Sequence, residues 1–159
     1  MRKVTIMIGI PGSGKTTYIK NTFAVHFNTI VVSPDEIRRE LYGDISIQGD
    51  WKEVFREAYK RVKQAIDEDR NVIFDATNTT HKRSDLIKRF REMGADHVSA
   101  VYLNTPFDIC LIRNENRTDR KESVPYDVML RMYASMIRSE NLLFSEDFDD
   151  ILIVNYKRP

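Results

Sequence analysis

The sequence predicts an α/β protein: a three-layer fold with a five-stranded, mostly parallel sheet and helices on both faces. Three observations carry this expectation. Five short apolar runs, KVTIMIG (3–9), TIVVS (29–33), NVIFD (71–75), HVSAVYLN (97–104) and DILIVNY (150–156), alternate with helical segments, and that alternation builds right-handed βαβ units. The first run has no solvated face, as in a strand covered on both sides. The glycine-rich stretch GIPGSGKTT follows it directly, between a strand and a helix.

The elements then follow in order. Residues 14–26 read as a helix. SPDE at 33–36 starts the next one: Ser33 suits the N-cap, Pro34 the first helical position, and Glu36 closes a capping box. Gly43 suits its C-terminal end, and residues 44–50 form a loop. From Trp51 to Arg70 apolar residues recur at three- and four-residue steps, so Trp51, Phe55 and Tyr59 are expected to pack that helix on the sheet. Residues 80–94 form a helix with a glycine stop. Its Lys82-Arg83 and Lys88-Arg89 pairs read as a solvated face or as the border of a nucleic-acid path. Residues 106–117 form a helix opened by Pro106, residues 118–124 a polar loop, and residues 125–144 a long helix whose Met129, Met132 and Met136 are spaced for core packing. No repeat or linker divides the chain, so residues 1–159 are expected to form one domain.

Composition narrows the class. With 42% hydrophobic and 31% charged residues, the chain is expected to be soluble and globular. Its net charge of +1 supplies no global field toward nucleic acid or membrane, so any polyanion has to be held by a local cluster. The lone cysteine, Cys110, lies in an apolar stretch and reads as a buried structural thiol. His26, His81 and His97 lack metal-ligand spacing. The N-terminus is too short for a signal peptide and no apolar run approaches the ~18 residues of a membrane span, which implies no membrane association and a cytoplasmic setting.

Gly9-x-x-x-x-Gly14-Lys15-Thr16 is a Walker A pattern. Glycines at 9, 12 and 14 let the backbone wrap closely so that N–H groups of the loop, including Ser13 and Thr17, point at phosphates. The following helix aims its positive end at the same place. Lys15 supplies a mobile charge for the β- and γ-phosphates of ATP or another NTP, and the Thr16 hydroxyl suits Mg²⁺. Asp75 ends the third strand as a Walker B carboxylate would, and either orders Mg²⁺ or caps the turn before Asn78 and Thr79. Asp35 follows the second strand, where a carboxylate can take the proton of an attacking hydroxyl. Arg38 is three residues on, on the same helical face, and can clamp an acceptor phosphate; the same residues also read as a helix start with favourable first-turn acids and a solvated arginine. Arg113 and Arg117, four apart, share a helix face. Arg120 and Lys121 add charge, so residues 113–125 read either as a solvated helix end of mixed charge, with Glu115, Asp119 and Glu122 interleaved, or as a short basic lid that can close over transferring phosphates and exclude water.

These stretches resemble the kinase domain of the bacteriophage polynucleotide 5′-kinase family. The resemblance runs from MRKVTIMIGIPGSGKTT through Asp35–Arg38 and VIFDATNTTHKRSDLIKRF to RNENR and SVPYDVMLRMYASM, and its most specific part is Val-Pro-x-Asp-Val-x-x-x-Met-Tyr from Val124. The resemblance implies a P-loop NTPase fold and an ATP- and Mg²⁺-dependent transfer to a 5′-hydroxyl of DNA or RNA. It also implies a single-stranded or end-exposed nucleic acid as partner. By resemblance, Lys15 and Thr16 serve phosphate and metal, and Asp35 is the general base. Arg38 holds the phosphate 3′ to the acceptor nucleoside, Arg117 is the lid arginine, Val124 packs on the acceptor base, and Thr77-Asn78 match a Thr-Asn pair. Two departures stand out. The third-strand acid falls one position earlier, at Asp75, and the lid is about two residues longer, so Arg120 or Lys121 can share the lid role. The Asp-x-Asp-x-Thr pattern of the phosphatase domain that often accompanies this kinase does not occur. Two alternatives stay open: a P-loop kinase acting on another hydroxyl (a base hydroxymethyl, a nucleoside or another small molecule), and a nucleotide-dependent switch or ATPase without a small acceptor.

Overall fold

The computed structural model describes residues 1–23, 26–118 and 123–159. Its elements are β1 (Lys3–Ile8), α1 (Lys15–Phe23), β2 (Thr29–Val32), α2 (Pro34–Tyr42), α3 (Trp51–Asp67), β3 (Asn71–Phe74), α4 (Arg83–Glu92), β4 (His97–Asn104), α5 (Phe107–Glu115), α6 (Tyr126–Ser139), a 3₁₀ segment (Glu140–Ser145) and β5 (Asp150–Asn155). The strands form one sheet in the order β2-β3-β1-β4-β5, and all four pairings are parallel. The mostly parallel sheet expected from the sequence is thus parallel throughout.

Alternation along β1 divides the core into two layers, because successive side chains leave opposite faces of a strand. Val4, Ile6 and Ile8 join Val72, Phe74, Val98 and Ala100 on one face, packed under α3, α4 and α6 through Val54, Ala58, Val62, Ile87, Phe90 and Met136. Met7, Ile73, Val101 and Leu103 occupy the other face, covered by Ile19, Tyr18 and Phe23 of α1. A third cluster lies between the glycine loop, α5 and α6, where Ile10, Cys110, Val124 and Met129 pack with Met132 and Tyr133. The methionine spacing in α6 is therefore core packing. Cys110 is fully buried, and burial pushes its thiol up to about 11, far from a reactive thiolate.

The start of α2 forms as its residues dictate. Ser33 is extended (φ −124°) and its hydroxyl accepts from the Glu36 amide at 3.4 Å, while Gly43 ends the helix at φ 88°. Only half of the capping box forms, however. The Glu36 carboxylate turns outward to Arg39 instead of back to Ser33. Two further expectations are corrected. Trp51 does not pack on the sheet: it is 62% exposed at the first position of α3, where the chain has barely entered the helix, and only Phe55 and Tyr59 reach the core. Arg83 is neither solvated nor on a nucleic-acid path, being 1% exposed. Among the described residues no helix is long and apolar enough to cross a membrane.

Candidate active site

Every strand of a parallel sheet points its carboxyl end to the same side, and there ligands bind. Here those ends open into one cavity of about 970 Å³. The glycine loop after β1, Asp35 and Arg38 after β2, Asp75 and Thr77 after β3, Thr105 after β4 and Tyr156 after β5 all line it, together with Arg113 and Arg117.

The glycine loop has the geometry of an anion cradle. Gly12 sits at φ 82°, and a Cβ there would come within 2.5 Å of the Cys110 carbonyl oxygen, so only glycine lets the loop pass so close to α5. Gly14 is also left-handed, at φ 99°. Helix α1 begins at Lys15, and its unpaired first-turn N–H groups and dipole favour an anion at this point. The Ser13 hydroxyl is buried without a hydrogen-bond partner among the described residues. Thr105 Oγ donates to the Ser13 carbonyl at 2.8 Å, fixing the loop from β4. The Lys15 ammonium is folded back, donating to the Gly9 carbonyl at 2.7 Å and the Ile10 carbonyl at 3.2 Å. Burial lowers its pKa, with Asp75 and Asp35 opposing.

Asp75 follows β3, and burial raises its pKa; Lys15 opposes, while Asp35 and Glu36 add to the rise. A lysine and two carboxylates thus share one electrostatic neighbourhood in which the buried charges are held at a cost. Asp35 is half exposed and receives a 2.8 Å bond from Arg38 Nη1, whereas the Arg38 side chain is 15% exposed. Arg38 Nε is buried and has no partner among the described residues.

The fit of a nucleotide and of Mg²⁺ follows from these groups. The glycine cradle, the helix start and the orphaned Ser13 hydroxyl suit phosphates. Among the described residues no cluster of three or more His, Cys, Asp or Glu exists that would hold a metal unaided. Thr16 with Asp75 instead suits a hard cation that keeps waters and shares phosphate oxygens.

Other predicted site residues fall in varied places. Thr77 lines the cavity and its carbonyl accepts from the Gly9 amide at 3.0 Å. Asn78 is not on the cavity wall; at φ 50° its amide donates to the carbonyls of Met7 and Ala76, so it ties the loop to the strand. Val124 is 8% exposed and packed in the third cluster. Its backbone exchanges two bonds with the buried Asn114 side chain, at 2.8 and 3.0 Å, which ties the chain before α6 to α5. Helix α5 ends at Glu115, so Arg117 lies beyond it and does not share a helix face with Arg113, although both line the cavity. Arg113 donates to the Gly12 carbonyl at 3.2 Å and lies over the Tyr156 ring, 5.5 Å from its centroid. Arg120 and Lys121 lie outside the described residues. The sequence reading missed Thr105, Tyr156 and Phe55 on the cavity wall. The first two were findable, since each follows a parallel strand at its carboxyl end.

The parallel sheet and the glycine cradle together define an α/β fold of the P-loop NTPase kind. The chain belongs to the AAA domain family, whose model matches residues 4–139. No curated protein matches it. Among solved structures it is similar to a chain of the Pnkp1/Rnl/Hen1 RNA repair complex, at 23% identity and a TM-score of 0.77, covering 88% of this chain and 45% of that one. It is similar to the AvrRxo1-ORF1:-ORF2 structure with ATP, at 13% identity and TM-score 0.72, covering 91% and 50%. It is also similar to a sugar kinase from Janibacter sp. HTCC2649, at 18% identity and TM-score 0.63, covering 100% and 87%. The chain therefore spans about half the length of the first and second of these relatives.

Proposed function

We propose that this chain is an ATP- and Mg²⁺-dependent kinase that phosphorylates the 5′-hydroxyl of DNA or RNA, acting as a cytoplasmic enzyme on single-stranded or end-exposed substrate. The observation that carries the reading is that Asp35 and the glycine loop line one cavity of about 970 Å³ at the carboxyl ends of the strands. Asp35 accepts the hydroxyl proton as the oxygen attacks the γ-phosphorus in line; the bond to the β,γ-bridging oxygen breaks and ADP leaves. Arg38, already bonded to Asp35 through Nη1, orients that carboxylate and presents its guanidinium to an acceptor phosphate from the cavity wall. Lys15 leaves the Gly9 and Ile10 carbonyls for the phosphates, and Arg113 and Arg117 approach from the lid side. Thr16 and Asp75 would hold a Mg²⁺ ion, which would supply charge neutralisation at the phosphates.

A second reading keeps the chemistry and exchanges the polymer for a small hydroxyl compound. It is favoured by the sugar kinase neighbour, which this chain matches over its full length. Labelled ATP offered with a 5′-hydroxyl oligonucleotide and with its 5′-phosphorylated twin separates the two. Transfer to the first alone supports the proposal. Transfer to both points to a base or internal hydroxyl, and transfer to neither points to a small acceptor or to acceptor-free hydrolysis.

A further inference from the structure

The largest fully buried side chain outside the cavity is that of Arg83, and it bonds to the loop that follows β3. Its Nη1 donates to the Asn78 carbonyl at 3.0 Å and to the Ser139 hydroxyl at 3.2 Å. Its Nη2 donates to the Ser139 carbonyl at 2.7 Å. Its Nε donates to Glu146 at 2.7 Å, and that carboxylate is 4% exposed. The Ser139 hydroxyl in turn donates to the Thr79 carbonyl at 2.8 Å. Two consecutive carbonyls of the loop, those of Asn78 and Thr79, are thus held from beneath by one guanidinium and the serine it fixes.

The other side of the same loop is tied to the site. The Gly9 amide donates to the Thr77 carbonyl, Asn78 reaches the Met7 carbonyl, and Asp75, Ala76 and Thr77 line the cavity. Asn78 stands in the left-handed region at φ 50°, a conformation that asparagine tolerates and that neighbours must maintain. The chain turned in this way directs the Asn78 carbonyl to Arg83, while Asp75 and Thr77, just before it, line the cavity. A buried arginine could be satisfied by any set of acceptors. This one reaches the loop that carries the candidate metal-side carboxylate through one direct bond, to the Asn78 carbonyl, and a second through the Ser139 hydroxyl, and its remaining bonds anchor that loop to the end of α6 and to Glu146.

We propose that Arg83 is a positioning residue for the site: it fixes the height of Asp75 and Thr77 against the glycine loop, and so sets how well a bound nucleotide recruits Mg²⁺. The proposal rests on the P-loop reading above. Lysine at this position keeps the charge opposite Glu146 but lacks the fork that spans Asn78 and Ser139.

The test is the binding of a fluorescent ATP analogue to the whole chain, with and without Mg²⁺, for the parent and Arg83→Lys. The expected result is metal-free affinity within about twofold of the parent and a roughly tenfold higher Mg²⁺ concentration for half-maximal enhancement. An unchanged Mg²⁺ requirement, or equal losses of affinity with and without the metal, overturns the proposal. Should Arg83→Lys fail to fold, Ser139→Ala removes only the hydroxyl arm. It is expected to raise the Mg²⁺ requirement by a smaller factor, and no change there overturns the proposal equally. A parent chain that binds no nucleotide overturns the reading of the site itself and the proposal with it. A parent that binds, beside a variant with an unaltered requirement, overturns the Arg83 role alone.

Discussion

The two ends of the sheet use the same kinds of residue and treat them in opposite ways. At the amino ends of the strands Asp96 receives three bonds from Arg2, one from its backbone and two from its guanidinium, at 2.8–3.1 Å. The pair is open to solvent, and Arg2 holds the carboxyl down to about 2. His97 pairs with Asp150 nearby. At the carboxyl ends Asp75 and Lys15 face the same cavity, yet burial raises the pKa of the first and lowers that of the second. One end places charges where folding favours them, the other where folding opposes them. The difference falls where the strand ends open into the cavity, and perturbed charges gather at ligand sites more than elsewhere.

The largest effect expected at the carboxyl end is on chemistry. Asp35→Asn keeps the helix start and its shape but removes the carboxylate proposed as proton acceptor. Nucleotide affinity should stay within about twofold while transfer to the acceptor falls by roughly 10²–10⁴, measured as fluorescent-nucleotide binding beside labelled-phosphate transfer. Full transfer in this variant would remove Asp35 from the mechanism. Lys15→Met should lose nucleotide binding instead, which separates the cradle from the base.

Stability sharpens the contrast next, and its sign reverses between the ends. The folded-state pKa of Asp75 is raised, so the folded protein holds that proton more tightly than the unfolded chain. The associated penalty is therefore present above the folded pKa and relieved as pH falls through it. Asp75→Asn should raise the melting midpoint of the nucleotide-free protein at pH 7 by about 2–4 °C, the shift that ~1 kcal/mol gives in a domain of this size. The gain should shrink as the pH enters the carboxylate range. The same variant should bind Mg²⁺-nucleotide more weakly. Thermal melts at several pH values check it, and a destabilised variant at neutral pH would show that the Lys15 partnership outweighs burial.

This contrast also explains what was legible in the sequence. The five strands, the cap at Ser33, the stop at Gly43 and the glycine loop are short-range features: each follows from spacing and residue type, and each appears where expected. Asp35, Arg38 and Asp75 reach the cavity wall because strand ends in a parallel sheet converge on one side, whereas Arg113 reaches it from α5, although the helix face it was expected to share with Arg117 does not form. Residues whose surroundings depend on distant segments were not legible. Arg83 reads locally as one of two adjacent cations on a helix, and nothing near it announces Ser139 or Glu146, 56 and 63 positions away. Trp51 has helical spacing suited to the core, but spacing does not say how deep the first turn of a helix sits. Val124 carries a specific sequence resemblance, yet its placement is set by the Asn114 clasp and by the α5–α6 cluster.

The smallest expected effect lies at the amino end. Asp96 has a depressed folded-state pKa, so its favourable contribution is present above the unfolded value and is lost as pH falls through about 2. Asp96→Asn should therefore lower the melting midpoint at pH 7, opposite in sign to Asp75→Asn and smaller in size, since exposed pairs are screened by water and salt. Raising the salt from 0.05 to about 0.5 M, which contracts the screening length to a few ångströms, should erase most of the difference between Asp96→Asn and the parent. It should leave the Asp75→Asn gain largely in place, because the more buried group is screened less. Nucleotide binding should be unaltered in Asp96→Asn at either salt concentration. A change in affinity there would mean that the two ends of the sheet are coupled, and the division between a folding end and a working end would fail.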